Sequence, residues 1–255
     1  MKGVFSAFRR QKLSKGKFGS YGAYAFGELL LIVLGILIAL AIDNWNQDRQ
    51  NRHLEHYYLT GLKEEFQQNK IRLGSLIEVN RASYQSAGDL ADYLVSPQES
   101  WDEHQLSQQL FHALAYEINY NPTQSMLQEV INTGGLNQIT DQTLRKHLAG
   151  WEPFVQQVRW QEDALREERQ HVLNLFRGDS GSIRTVLEDN DLATQEMGLV
   201  ANPDPATNQQ IIRSRSFENR MLMYLLTAQR TESELYRPLM QEIDIILELI
   251  KRELN

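Results

Sequence analysis

Apolar positions divide this chain into one stretch that is apolar on every face and a long remainder where they recur at helical spacing. Residues 18–42 (FGSYGAYAFGELLLIVLGILIALAI) contain one charged member, Glu28, and the run Leu29–Ile42 is uninterrupted. A hydrocarbon core of ~30 Å takes about 20 helical residues at roughly 1.5 Å each. Tyr21 or Gly22 to Ile42 meets that length, so the pattern predicts a single transmembrane helix at 18–43. Tyr21, Tyr24 and Trp45 fall where aromatic belts sit. A buried soluble helix fits worse, because the run has no polar face. Cleavage as a signal peptide at Ala39-Leu40-Ala41 also fits worse, since the basic start ahead of the apolar core is long and helical sequence continues beyond it.

From residue 44 to 95 the spacing of Leu54, Tyr58, Leu62 and Phe66, then Leu73, Ile77, Asn80 and Tyr84, predicts helix continuing outward, with Gly61, Gly74 and Gly88 as weak points. A second helix is expected from Asp102 or Glu103 to Tyr116. A third is expected to begin at Asn121-Pro122, with Pro122 in its first turn, and to stop at Thr133-Gly134-Gly135. Thr140 or Asp141 caps a fourth, kinked or restarted at Pro153 and ending at Phe176. Residues 178–208 have the least ordered composition, with a short helix over Ile183–Asp189. Gln209–Leu254 predicts helix bent at Pro238. No β-alternation or repeat is present. The expected fold is all-α, one N-terminal transmembrane helix followed by an extracytoplasmic antiparallel helical bundle. Its parts are a basic cytoplasmic segment at 1–17, the span at 18–43 and a periplasmic helical domain at 44–255.

Charge gives the span a direction. Residues 1–17 carry Lys2, Arg9, Arg10, Lys12, Lys15 and Lys17 and no acid, which leaves the remaining chain at −13 against −7 overall. Only Arg49 and Arg52 follow within twenty residues of the span. The positive-inside rule then places the N-terminus in the cytoplasm and the bulk outside, the periplasm of a Gram-negative cell, with the protein in the inner membrane. Lys12, Lys15 and Lys17 on one side, and Asn44, Trp45 and Asn46 on the other, are the expected interface residues. Membrane lipids are expected partners of the basic start, where Phe5, Phe8 and Leu13 also fit a surface-lying amphipathic helix. The acidic remainder argues against nucleic acid. The absence of cysteine excludes disulfides and thiol chemistry.

Glu28, Ile32, Gly35, Ala39 and Ile42 share one stripe of the span. Gly35 and Ala39 form a small-x-x-x-small pair that admits a second helix. Glu28 either pairs across that contact or snorkels toward Lys15 and Lys17. For metals, Glu168-x-x-His171 is a lone fragment of a di-iron pattern, and His53 and His56 read better as solvent-exposed. His104, His112 and His147 stand isolated. No nucleophile elbow is present, Gly134-Gly135 reads as a helix C-cap, and Glu162–Arg169 (EDALREER) reads as a solvated face laced by ion pairs. No catalytic residue, cofactor or metal site is expected.

The block RQKLSKGKFGSYGAYAFGELLLIVLGILIALAIDNWN, Arg10–Asn46, resembles the opening of the bacterial family called domain of unknown function 6090. Gly27-Glu28, Gly35–Leu40 and Asn44-Trp45-Asn46 carry the likeness, and Ser125–Leu148 (SMLQEVINTGGLNQITDQTLRKHL) is similar to an internal segment of the family. The resemblance implies one span and a helical extracytoplasmic domain, and brings no activity. The expected function is therefore non-enzymatic: a protein-interaction or sensory module, self-associated through the span and serving an unknown membrane or periplasmic protein. The alternative is a metal- or small-ligand-binding bundle attached to a membrane complex. An oligomeric channel lined by Glu28 is the outsider.

Overall fold

The computed structural model describes residues 18–96 and 100–255, with side chains from residue 25. Lys12, Lys15 and Lys17, and the rest of the 1–17 segment with Phe5, Phe8 and Leu13, lie outside the described residues. So do Pro97 and the side chains of Tyr21 and Tyr24. Among the described residues the chain is helical and has no strand.

Helix α1 runs Phe18–Val95. No proline occurs before Pro97, and isolated glycines cost only about 1 kcal/mol each relative to alanine, so nothing in the sequence breaks it. The chain divides into two compact units, residues up to Leu54 and Glu55–Asn255. In the first, every side chain described from residue 25 to residue 50 is exposed. By length and composition α1 is the one helix among the described residues able to cross a membrane, through its N-terminal apolar stretch.

The second unit has a continuous apolar core. Part of α1 supplies Leu62, Phe66 and Leu73 to it. Helix α2 (Glu103–Leu114) starts at a capping box, with Asp102 accepting the Gln105 N–H and the Gln105 side chain accepting the Asp102 N–H. It ends two residues before the expected Tyr116. Helix α3 is Ser125–Asn132, not a helix begun at Pro122. Two side chains of α1 explain the late start. Asn69 accepts the Thr123 N–H at 2.8 Å and donates to its carbonyl at 2.7 Å, holding that residue outside a helical ladder. Glu65 then accepts the first orphan amides, Met126 at 2.8 Å and Leu127 at 3.1 Å. Gly134 takes φ +73° just past α3, as a C-cap glycine does, and a Cβ on Gly135 would sit 2.6 Å from the Tyr58 ring.

Helix α4, Gln142–Phe176, is capped by Asp141 and runs through Pro153 without restarting. Leu144, Leu148, Trp151, Val155, Val158, Leu165 and Val172 bury one stripe of it. Helix α5 is Ile183–Asp189 and packs on α2. The stretch with the least ordered composition is tied down by a fully buried Asn208, whose amide bonds both the N–H and the carbonyl of Ser182. The C-terminal helical run is broken twice. Helix α6 (Gln209–Ile212) gives way to α7 (Arg215–Arg230) at Ser214, whose hydroxyl accepts the Phe217 N–H. A π-helical turn, Thr231–Tyr236, then precedes α8, Arg237–Leu254. Pro238 falls in the first turn of α8, so the wider turn takes up what a bend at proline was expected to do. Helix α4 packs against α7, α8 and that turn.

Candidate functional site

The chemistry of the second unit gathers in a polar layer through its apolar core, and the π-helical turn builds it. Four residues apart on that turn, Glu232 and Tyr236 are both buried and reach different neighbours. Glu232 receives Arg81 of α1 as a two-pronged pair, the Tyr84 hydroxyl at 3.0 Å, and Arg237 from both Nε and Nη2 at 3.2 and 2.9 Å. Tyr236 donates its hydroxyl to Glu162 Oε1 of α4 at 2.6 Å, and the same oxygen accepts the Tyr120 N–H at 2.8 Å. Gln161 donates to Thr231 Oγ1, and Asn80 donates to the Ala228 carbonyl at 3.0 Å. A π-turn places an extra residue in a helix and commonly marks positions under special demand.

The two carboxylates are driven in opposite directions. Burial pushes Glu162 up, from an ordinary 4.5 to about 7; the Tyr236 hydroxyl, the Tyr120 N–H and the charges of Arg166 and Arg159 only partly offset it. Its second oxygen, Oε2, is buried without a hydrogen-bond partner among the described residues. Burial also works to raise Glu232, but hydrogen bonds from Arg81, Arg237 and Tyr84 outweigh it and hold that carboxyl below its usual range. Burial next to Glu162 raises the Tyr236 phenol as well. Desolvation thus favours the protonated form of Glu162, while the donors around Glu232 favour its ionised form.

The expectation of a solvated face at Glu162–Arg169 is therefore corrected. Glu162 is 1% exposed and Leu165 2%, while Arg166 does make surface pairs with Glu117 and Asp163. Glu162 continues the period of Val155 and Val158, a signal the charge run concealed. Asn80 sat visibly in an apolar stripe, and Glu232 had no distinguishing mark. His147 is not isolated: its Nδ1 lies 2.6 Å from Glu242 Oε1. His53 and His56 are exposed, and Glu168 and His171 approach to 3.5 Å on the surface. Among the described residues no group of three or more His, Asp or Glu side chains stands together as a metal site.

The residues singled out in the span belong to the first unit. Glu28, Gly35 and Ala39 are exposed, as are Asn44, Trp45 and Asn46. A Cβ added at Gly35 would meet nothing within 4 Å.

Residues 28–152 match a family described as "Family of unknown function (DUF6090)". Over that stretch, just under half of the chain, it is similar to DUF6090. No curated protein and no solved structure matches it. The DUF6090 stretch takes in Glu28, Gly35–Leu40 and Asn44-Trp45-Asn46, and also Ser125–Leu148, all of which carried the resemblance. It holds Glu65 and Asn69, which fix the start of α3, and the Asn80, Arg81 and Tyr84 side of the polar layer. It ends before Glu162, Glu232 and Tyr236, so the two carboxylates lie beyond the matched residues.

Proposed function

We propose that the chain is a non-enzymatic, single-pass inner-membrane protein whose periplasmic antiparallel helical bundle is a protein-interaction or sensory module. The N-terminus is cytoplasmic, and the spans of separate copies associate through Gly35 and Ala39, with Glu28 at the same contact. The observation that carries this reading is the apolar run Leu29–Ile42, exposed on all sides in the first unit. In water that surface would aggregate; in a hydrocarbon layer it is at rest, because helical backbone groups are satisfied internally. The six basic residues before the run favour the orientation, and the open surface at Gly35 favours close approach of another helix. Alkaline phosphatase and green fluorescent protein fused in turn after Asn255 test it. Phosphatase activity without fluorescence is the expected result, and fluorescence without phosphatase activity rejects the topology.

A further inference from the structure

A pocket of about 340 Å³ opens between the C-terminal end of α2, the second half of α4, and α5. That is within the range of small-ligand sites, roughly 300–1,000 Å³. Its walls are apolar, with Leu110, Leu114, Leu173, Phe176 and Val186 among them, and its polar side chains are Arg169 and Tyr116. The walls are supplied by helices on different sides of the opening, so the cavity is a concave site and not one bare helix face.

Arg169 sets the chemistry of the occupant. Its Nε donates to the Leu114 carbonyl at 2.7 Å and its Nη2 to the Ala115 carbonyl at 3.3 Å. Those carbonyls end α2, whose dipole supplies about half a negative charge. Among the described residues Arg169 has no carboxylate partner, whereas Arg81, Arg166, Arg184 and Arg237 each have one. A half-buried guanidinium at an apolar pocket, with Nη1 uncommitted, is matched by an anion whose body is hydrocarbon. At the rim, Tyr116 is 52% exposed and packs edge-on against Phe111, with ring centroids 6.5 Å apart.

The geometry points to a binding site for an anionic amphiphile, an acyl chain seated among Leu114, Leu173 and Val186 with its carboxylate or phosphate head on Arg169. The assignment concerns the second unit alone and does not rest on the membrane topology above.

The test is photolabelling of the full chain in nanodiscs of zwitterionic lipid with a diazirine-bearing decanoate, the labelled peptides being mapped by mass spectrometry. Label is expected on residues 110–116 and 169–187. Unlabelled decanoate should suppress it about tenfold more effectively than decanol or decyltrimethylammonium, the difference one charge-assisted contact makes. Val186→Phe fills the pocket and should abolish the labelling with the helical circular-dichroism signal unchanged; Leu173→Phe does the same from the opposite wall if the first variant fails to fold. Arg169→Gln should remove the preference for decanoate over decanol, which a purely structural role for Arg169 would leave intact. Adding phosphatidylglycerol separates the sources. Loss of label then identifies a lipid headgroup as the occupant, and retention a free acid; the site stands in both cases. Equal competition by decanol and decanoate in the unaltered chain, or labelling untouched by both filling variants, overturns the assignment.

Discussion

Residues 29–42 and 58–93 lie in the same helix of this chain, and they use apolar side chains in opposite ways. The first stretch is apolar on every face and exposes all of it. The second confines Tyr58, Leu62, Phe66, Leu73, Ala87 and Leu90 to a buried stripe and sets polar residues between. A helix that must satisfy water on one side needs the stripe; a helix surrounded by hydrocarbon does not. The contrast also places the chemistry. Only the striped region can carry buried Asn69 and Asn80, because its neighbours supply partners: the Thr123 backbone for one and the Ala228 carbonyl for the other. In the first region Glu28 has no such surroundings.

The same substitution made in both stretches breaks this comparison most sharply. Phe66→Ala should destabilise the second unit by about 3–5 kcal/mol through loss of transfer energy and an unfilled cavity, read as a fall in its melting temperature. Leu34→Ala in the exposed run should leave that melting temperature unchanged. Equal effects would mean that the run is buried in the native protein. Next in size is the pair of carboxylates. Glu232→Gln removes the negative charge that pairs with Arg81 and Arg237 and turns one of the two accepting oxygens into a donor, and should cost about 2–3 kcal/mol in chemical denaturation.

Glu162 tests the layer by pH. Its carboxyl is raised in the folded state, so the fold binds more protons than the unfolded chain between pH 4.5 and about 7. Stability contributed by the protonated form is complete below 4.5 and is lost as pH rises through about 7. Melting should therefore be easier at pH 8 than at pH 5, by on the order of 2 kcal/mol, and Glu162→Gln should flatten the dependence. A profile unchanged by that variant would remove Glu162 as its cause. The smallest effect is expected in the span. Gly35→Leu should reduce crosslinked dimer in membranes without moving the melting temperature of the second unit; unaltered crosslinking would dismiss the Gly35 contact.

Several boundaries were readable because local chemistry sets them. Asp102 and Asp141 cap their helices, Gly134 closes α3, and Ile183–Asp189 is the short helix expected there. The misread ones depend on distant groups. Pro122 looks like a helix start, yet Asn69 and Glu65, more than fifty residues away in sequence, postpone it to Ser125. The Gln209–Leu254 run looks continuous, yet it is interrupted at Ser214 and widened at Thr231–Tyr236. Glu162 was hidden for a related reason: a charge among charges signals solvent until the helix is set against its neighbours.

The sequence by itself determined the all-helical class, the apolar run, its basic flank and the likeness to DUF6090, since composition and period act within a few turns of the chain. Tertiary structure alone decided that Glu162 is buried with its carboxyl pushed up, that Glu232 sits between two arginines that hold its carboxyl down, and that Arg169 faces an apolar pocket. Each of those depends on desolvation and on partners brought from remote positions, and no local pattern encodes them.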